Sequence, residues 1–420
     1  MNRRELLTRA LAVPSIRPSA RSRKRRVVVV MLDGFGLEYY DASAMPTLKR
    51  WASEGVFARV EGQMPAVTNT NNASICCGVA ASVHGITGNS YFNRETGQED
   101  FMEDARLLLA PTLFQKAARQ NCVSGLFTSK KKTASLLHAG TSLVVSAETP
   151  SPDLVRRYGP APGIYSAEIN YWLWDVVIDQ LARRKDLDVL YVHTTDYPMH
   201  MHPESSAESR AHLATLDMKL AEAAHRAPDA AFYLSADHGM NHKTRAWDLG
   251  KACANRDAPV RLAISAERDK YPKHHLGLGG IAWVYLRQPG DAQRVGSVIE
   301  KLEGVERVLT RDEAAKSFDL MPERIGELVV TGDRQTVFGT LDHESETLAT
   351  TYRSHGSRYE MGVPLIIRDA GRKLDPSDYR RNLDLTAGLF TGLLPRGHSR
   401  ADILHINRLK PHFQRGRFRA

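Results

Sequence analysis

Cysteine is scarce in this chain, with four in 420 residues. Cys76 and Cys77 are adjacent, while Cys122 and Cys253 stand alone. There is no CxxC pair, so neither a disulfide framework nor a cysteine-based zinc knuckle is available, and a reducing, cytoplasmic setting is expected. Long apolar runs are also missing. No stretch approaches the roughly 18 apolar residues of a membrane span, and no membrane partner is expected. A basic body is missing too, although the net charge is +9. Residues 1–26 carry nine Lys/Arg against Glu5, and residues 395–420 carry seven against Asp402, so the two ends hold +8 and +6 and leave −5 for everything between them. A nucleic-acid-reading domain carries its positive surface on the fold itself, which argues against nucleic acid as a partner. Arg3 and Arg4 resemble the start of an export signal, but Arg9, Pro14, Arg17 and Pro18 interrupt the residues after them and leave no apolar segment. Residues 1–25 are read as a disordered basic leader and 397–420 as a basic tail.

What is present is an ordinary globular composition, 42% hydrophobic and 25% charged, long enough for one large α/β enzyme with an inserted subdomain. Val27 to Leu32 is a β-branched run that reads as a buried parallel strand and ends at Asp33-Gly34. Three later segments repeat the pattern. Val123 to Phe127 runs into Thr128, Ser129 and three lysines; Val189 to Val192 into His193 to Asp196; Ala231 to Leu234 into Ser235 to His238. Helical periodicity lies between them, over Thr112 to Arg119 and Glu168 to Arg184. The order β-α-β-α predicts a mostly parallel sheet sandwiched by helices. Residues 249–344 break the pattern, with strands at Ile281 to Leu286 and Glu327 to Val330 flanking a helix near Ala292 to Leu302, and read as an inserted α+β cap subdomain. Residues 26–248 and 345–396 form the catalytic core in this reading, closed by a strand at Val363 to Ile367 and an amphipathic helix near Leu383 to Leu394.

Ligands of open α/β sheets bind beyond the carboxyl ends of the strands. The acidic and imidazole groups there are Asp33, Asp196 with His200 four residues on, Asp237-His238, and His355 after the insertion. Carboxylate oxygen and imidazole nitrogen suit zinc, and two ions a few ångströms apart can clamp both sides of a phosphoryl centre. Singly, an Asp after a strand is as readily a helix cap, and a lone His is more often structural; convergence of all of them at one sheet end favours a site. Thr68 opens an apolar run, Ala73 to Cys77, that reads as a buried helix. A hydroxyl at such a terminus meets N–H donors that stabilise anions, so Thr68 is the nucleophile candidate and a plain helix cap is the alternative.

The ordered set Asp33-Gly, Thr68-Asn, Asp196-xxx-His200, Asp237-His238-Gly and His355-Gly resembles the alkaline phosphatase superfamily, in its nucleotide pyrophosphatase/phosphodiesterase branch, over roughly residues 27–394. Within that branch the segments MPAVTNTNNASICCG, VHGITGN, APTLFQ, TTDYPMH, SADHGM and RSHG are similar to those of the phosphonoacetate hydrolases. The resemblance implies that Asp196, His200 and His355 hold one zinc ion and that Asp33, Thr68, Asp237 and His238 hold the other, with Thr68 as nucleophile. Manganese or iron would suit the same ligands. It further implies that Asn89 contacts the phosphonate oxygens and that Lys130 and Lys132 receive the substrate carboxylate, with His275 as an additional substrate-side residue. Lys131, where the family is commonly acidic, either strengthens that carboxylate site or points into solvent. The implied reaction is cleavage of phosphonoacetate, a small-molecule phosphonate, to acetate and phosphate through a phospho-threonine.

Two other readings compete. A phosphodiesterase or nucleotide pyrophosphatase on the same scaffold would need a wide aromatic pocket instead of lysines. A non-catalytic binding protein would have lost ligands or nucleophile, and none is missing. A homodimer is compatible with the sequence, which carries no interface pattern that settles it.

Overall fold

The structure, a computed structural model, describes residues 25–390. The tail at 397–420 and all but the last residue of the basic leader lie outside the described residues. The centre is a seven-stranded sheet in the order Val56–Glu61, Gly362–Arg368, Ala230–Ser235, Arg26–Met31, Leu187–His193, Val123–Thr128, Leu143–Ser146. From Ala230–Ser235 to Leu143–Ser146 all neighbours run parallel. The four inner strands, Ala230–Ser235, Arg26–Met31, Leu187–His193 and Val123–Thr128, are buried on both faces, which is why they read as mainly apolar runs without a strict polar alternation. Val28, Val30, Leu190, Val192, Phe232 and Leu234 are all fully buried in the resulting core. The mostly parallel sheet expected from the sequence is present, with one exception at its far edge. Gly362–Arg368 runs antiparallel to Ala230–Ser235, and Val56–Glu61 antiparallel to Gly362–Arg368.

Helices Glu168–Arg183 and Ala207–Arg226 pack together on the sheet. Leu113–Ala118 opens with a capping box in which Thr112 accepts from the Gln115 N–H and the Gln115 side chain accepts in return. The expected helix at Leu383 to Leu394 is a single turn, Asp384–Ala387, that stops at Gly388; residues from 391 on lie outside the described residues. Among the described residues no helix is long and apolar enough to cross a membrane.

A second, antiparallel sheet runs in the order Leu262–Ser265, Ile281–Tyr285, Leu328–Gly332, Val305–Thr310, carrying helices Ala292–Ile299 and Arg311–Phe318. Its two faces have separate apolar cores, one around Val284, Ile299 and Val330 and the other around Trp283, Ile325 and Val329. A three-stranded sheet of Thr336–Phe338, Arg245–Trp247 and Ser345–Thr347 ties both ends of the insertion together.

Candidate active site

Register sets the polar strand ends side by side. Met31 is abreast of His193 and of Ser235, and Thr128 is abreast of His193. Asp33, Lys130, Asp196 and Asp237 therefore emerge two or three residues later from four neighbouring strands spaced about 4.8 Å apart. Gly34 turns the chain after Asp33 at φ +72°, and a side chain there would lie 3.0 Å from the Cβ of Asp196, so only glycine lets the two carboxylates approach. The Gly34 N–H donates to Asp237 Oδ1 at 2.9 Å.

Thr68 is the first residue of helix Thr68–Cys77, all ten of whose residues are buried. The preceding loop is pinned by Asn71, whose amide donates to the carbonyls of Gln63, Pro65 and Val67 at 3.0, 3.2 and 3.2 Å. This places Thr68 Oγ1 3.5 Å from both Asp33 Oδ1 and His238 Nε2.

The three histidines share one arrangement. Nδ1 of His200, His238 and His355 lies 2.9, 2.9 and 2.8 Å from the backbone carbonyls of Arg353, Gly239 and Ala66. A carbonyl only accepts, so each Nδ1 carries a hydrogen, and in the neutral ring each Nε2 presents a lone pair. Those lone pairs face carboxylates. His200 Nε2 is 3.0 Å from Asp196 Oδ2; His238 Nε2 is 3.3 Å from Asp237 Oδ2 and 3.5 Å from Asp33 Oδ1; His355 Nε2 is 3.7 Å from Asp196 Oδ2. A lone pair facing an anion is repulsive unless a cation or proton lies between them. Two atoms bound tetrahedrally to one zinc ion at about 2.05 Å are about 3.3 Å apart, in the middle of this set. Asp237 Oδ2 and His355 Nε2 are buried with no hydrogen-bond partner. The donor set thus fits divalent cations, and the atoms gather as Asp33, Asp237 and His238; Asp196, His238 and His355; and Asp196, His200 and His274. Burial and the nearby His355 push His238 down to about 4, which keeps it neutral. At His355 burial also works against the charged form, but Glu267 and Asp196 outweigh it and lift the pKa to about 9, so a proton can stand where a cation would.

The lysine trio separates. Lys130 Nζ bridges Asp33 Oδ2 at 2.7 Å and Asp196 Oδ1 at 2.8 Å. Burial disfavours its charge, but the two carboxylates hold it well above the ordinary lysine range. Lys131 is exposed, the solvent-facing one of its two expected alternatives. Lys132, 2% exposed, pairs with Asp269 from the inserted segment. His275 belongs to the same knot: the Gly277 N–H donates to its Nδ1 at 2.9 Å, so the proton sits on Nε2 and points at Asp269 Oδ1, 3.1 Å away. Both ring nitrogens are engaged, and His275 reaches the site through Asp269. Asn89 is likewise tied in, its Oδ1 accepting from the Asn69 N–H at 3.2 Å and its Nδ2 donating to the Glu267 carbonyl at 3.3 Å.

A cluster of buried Asp and His around a threonine at a helix start, at the carboxyl end of a parallel sheet, has counterparts among known proteins. The profile of the type I phosphodiesterase / nucleotide pyrophosphatase family matches residues 27–358. The chain belongs to that family. Over 71 residues it is 41% identical to an ectonucleotide pyrophosphatase/phosphodiesterase of Caenorhabditis elegans, a match spanning 17% of this chain and only 9% of that protein. Among solved structures, phosphonoacetate hydrolase from Sinorhizobium meliloti in complex with phosphonoformate superposes with a TM-score of 0.79 at 30% identity, covering 88% of this chain and 96% of the other. Its complex with phosphonoacetate gives 0.79 at 29% over the same shares. Human ectonucleotide pyrophosphatase/phosphodiesterase 5 shares the fold, with a TM-score of 0.65 at 15% identity over 86% and 92% of the two chains.

Membership in the type I phosphodiesterase / nucleotide pyrophosphatase family makes this chain a phosphoesterase-type hydrolase of a metal-dependent family. Four residues of the site escaped the reading of the sequence. His193 Nε2 is 3.2 Å from Asp33 Oδ2. Glu267 and Asp269 face His355 and Lys132. His274 stands edge-on to His200, ring centroids 4.7 Å apart, with Nε2 4.0 Å from Asp196 Oδ1 and Nδ1 unpartnered. His193 could have been found at its strand end; the other three sit in the charged stretch AERDKYPKHH, which has no periodicity to betray them.

Proposed function

We propose that this chain hydrolyses the carbon–phosphorus bond of phosphonoacetate, giving acetate and phosphate. The observation that carries the reading is the pair of buried ammonium groups: Lys130 lies against Asp33, the residue that faces Thr68, and Lys132 lies on Asp269. A diesterase has no use for two desolvated cations, one beside the carboxylate that faces its nucleophile and one on the inserted segment, whereas a substrate carrying a carboxylate two bonds from phosphorus does. The 30% identity with a phosphonoacetate hydrolase over most of both chains supports the same choice.

In this mechanism Thr68 Oγ1 attacks phosphorus as its proton leaves, and the C–P bond breaks with its electron pair going to carbon. That carbanion delocalises into the adjacent carboxylate as an enolate, and charge growing there is what Lys130 and Lys132 stabilise. Carbon then takes a proton from water to give acetate, and the hydroxide left behind is neutralised by the proton that Thr68 released. A second water attacks the phospho-threonine, returns the hydroxyl and releases phosphate, so one water is consumed overall. Asn89, held beside the Asn69 N–H, orients the phosphonate oxygens. When bound by Asp33, Thr68, Asp237 and His238 and by Asp196, His200 and His355, divalent cations, zinc first among them, supply Lewis-acid polarisation.

The test is phosphate release from phosphonoacetate by zinc-loaded protein, run beside bis(p-nitrophenyl) phosphate and repeated with chelator. Chelator-sensitive turnover of phosphonoacetate well above that of the diester is expected. Diester turnover alone would leave Thr68 and the metals in place and move the chain to the phosphodiesterases.

A further inference from the structure

Glu267 is a buried carboxylate with one oxygen unpartnered and the other facing two imidazoles. It is 2% exposed, its Oε2 has no hydrogen-bond partner, and its Oε1 lies 3.4 Å from His355 Nε2 and 3.8 Å from His275 Nε2. The His275 proton is committed to Asp269 at the shorter 3.1 Å. The Nδ1 hydrogen of His355 is committed on the other side of the ring, to the Ala66 carbonyl, so without a cation only a second proton on Nε2 can meet Glu267. A full negative charge so placed is costly unless a positive charge lies against it.

The backbone does not let Glu267 turn away. The Asn89 N–H donates to the Ala266 carbonyl at 2.7 Å and the Asn89 amide to the Glu267 carbonyl at 3.3 Å. The Glu267 N–H donates to Ser265 Oγ at 3.3 Å. Behind the side chain is Gly279, where a Cβ would lie 2.6 Å from the Cβ of Glu267, so a bare glycine is what makes room for it. The carboxylate is thereby aimed from the inserted segment at Nε2 of His355, the atom that also faces Asp196.

We propose that Glu267 is a positioning residue for the cation held by Asp196, His200 and His355: an anion delivered by the inserted segment that strengthens retention of that ion and makes it depend on the segment being seated. The inference rests on the metal reading above. It concerns Glu267 alone, not the substrate.

The experiment is calorimetric titration of the chelator-stripped, full-length protein with zinc, comparing wild type with Glu267→Gln and Gly279→Ala. Wild type should take two equivalents. Glu267→Gln, which keeps the shape and removes the charge, should weaken one of them by roughly 10- to 100-fold and leave the other unchanged. Gly279→Ala keeps every ionisable group and displaces Glu267, so it should weaken the same equivalent. Metal-free melting of Glu267→Gln at or above the wild-type temperature shows that the variant is folded. Two unchanged zinc affinities in a folded Glu267→Gln overturn the proposal. A wild type that binds no zinc overturns the metal reading and this one with it. Two equivalents bound without phosphonoacetate turnover remove only the substrate assignment.

Discussion

His238 and His355 lie face to face, ring centroids 3.6 Å apart and planes 12° from parallel, although 117 positions separate them. One comes from the end of a core strand and the other from the chain's return after the insertion, and each donates Nδ1–H to a backbone carbonyl. Stacked imidazoles whose Nε2 atoms both face carboxylates form a cradle built for positive charge. Filling it should stabilise the fold. Zinc added to chelator-stripped protein at 100 times its dissociation constant contributes about 2.7 kcal/mol, read as a melting temperature higher by several degrees. A melting curve indifferent to zinc would mean that protons alone occupy the cradle.

Thr68→Ala removes the hydroxyl held 3.5 Å from Asp33 and His238. Turnover should fall by ~10³-fold or more, because no nearby group replaces an attacking oxygen, while zinc per chain stays near wild type. Acid-quenched wild type should carry phosphate on Thr68 by mass spectrometry. Retained activity in the variant would remove Thr68 from the mechanism and leave it as a helix start.

The central sheet was legible because doubly buried parallel strands are written as predominantly apolar runs that stop at polar residues. Arg26–Met31, Val123–Thr128, Leu187–His193 and Ala230–Ser235 all have that form. Val56–Glu61 went unread because it is a half-exposed edge strand with mixed polarity, and its neighbour's antiparallel direction is settled by tertiary packing alone. The site divides in the same way. Residues at strand ends could be located from the strands. Glu267, Asp269 and His274 could not, since their place comes from a loop folded back over the core and not from any local pattern.

Asp269 makes a separate prediction. It is the carboxylate that both Lys132 and the His275 Nε2–H meet, and the Tyr271 N–H donates to it at 2.6 Å. Lys132→Met should lower kcat/KM for phosphonoacetate by roughly 10²-fold, the scale expected when one partner of a buried charge contact is truncated, with a much smaller effect on the diester. Asp269→Asn should raise KM for phosphonoacetate in the same direction. The two changes should be non-additive, because both act through one ammonium. Equal losses on both substrates would mean that the lysine serves the fold and not the carboxylate.

The last prediction lies at the edge of the site. Glu38 accepts the Met240 N–H at 2.8 Å, and the α-carbon of Gly239 leaves no room for a side chain against it, since a Cβ there would be 2.7 Å from Glu38 Oε1. Burial, with Glu360 adding repulsion against the pull of Arg353, raises its pKa from 4.5 to about 7. The folded carboxyl therefore holds its proton more tightly than the unfolded one. Its contribution to stability is fully present below pH 4.5 and is lost as the pH rises through 7, when the native state must carry a buried charge. A shift of this size corresponds to about 3 kcal/mol. Glu38→Gln keeps the acceptor for Met240 and removes the charge. It should be more stable than wild type at pH 8 by up to that amount, and the difference should vanish by pH 4. Denaturant unfolding at both pH values decides it: a variant no more stable at pH 8 would mean that Glu38 is ionised in the native protein at little cost, with Arg353 as its effective counter-charge.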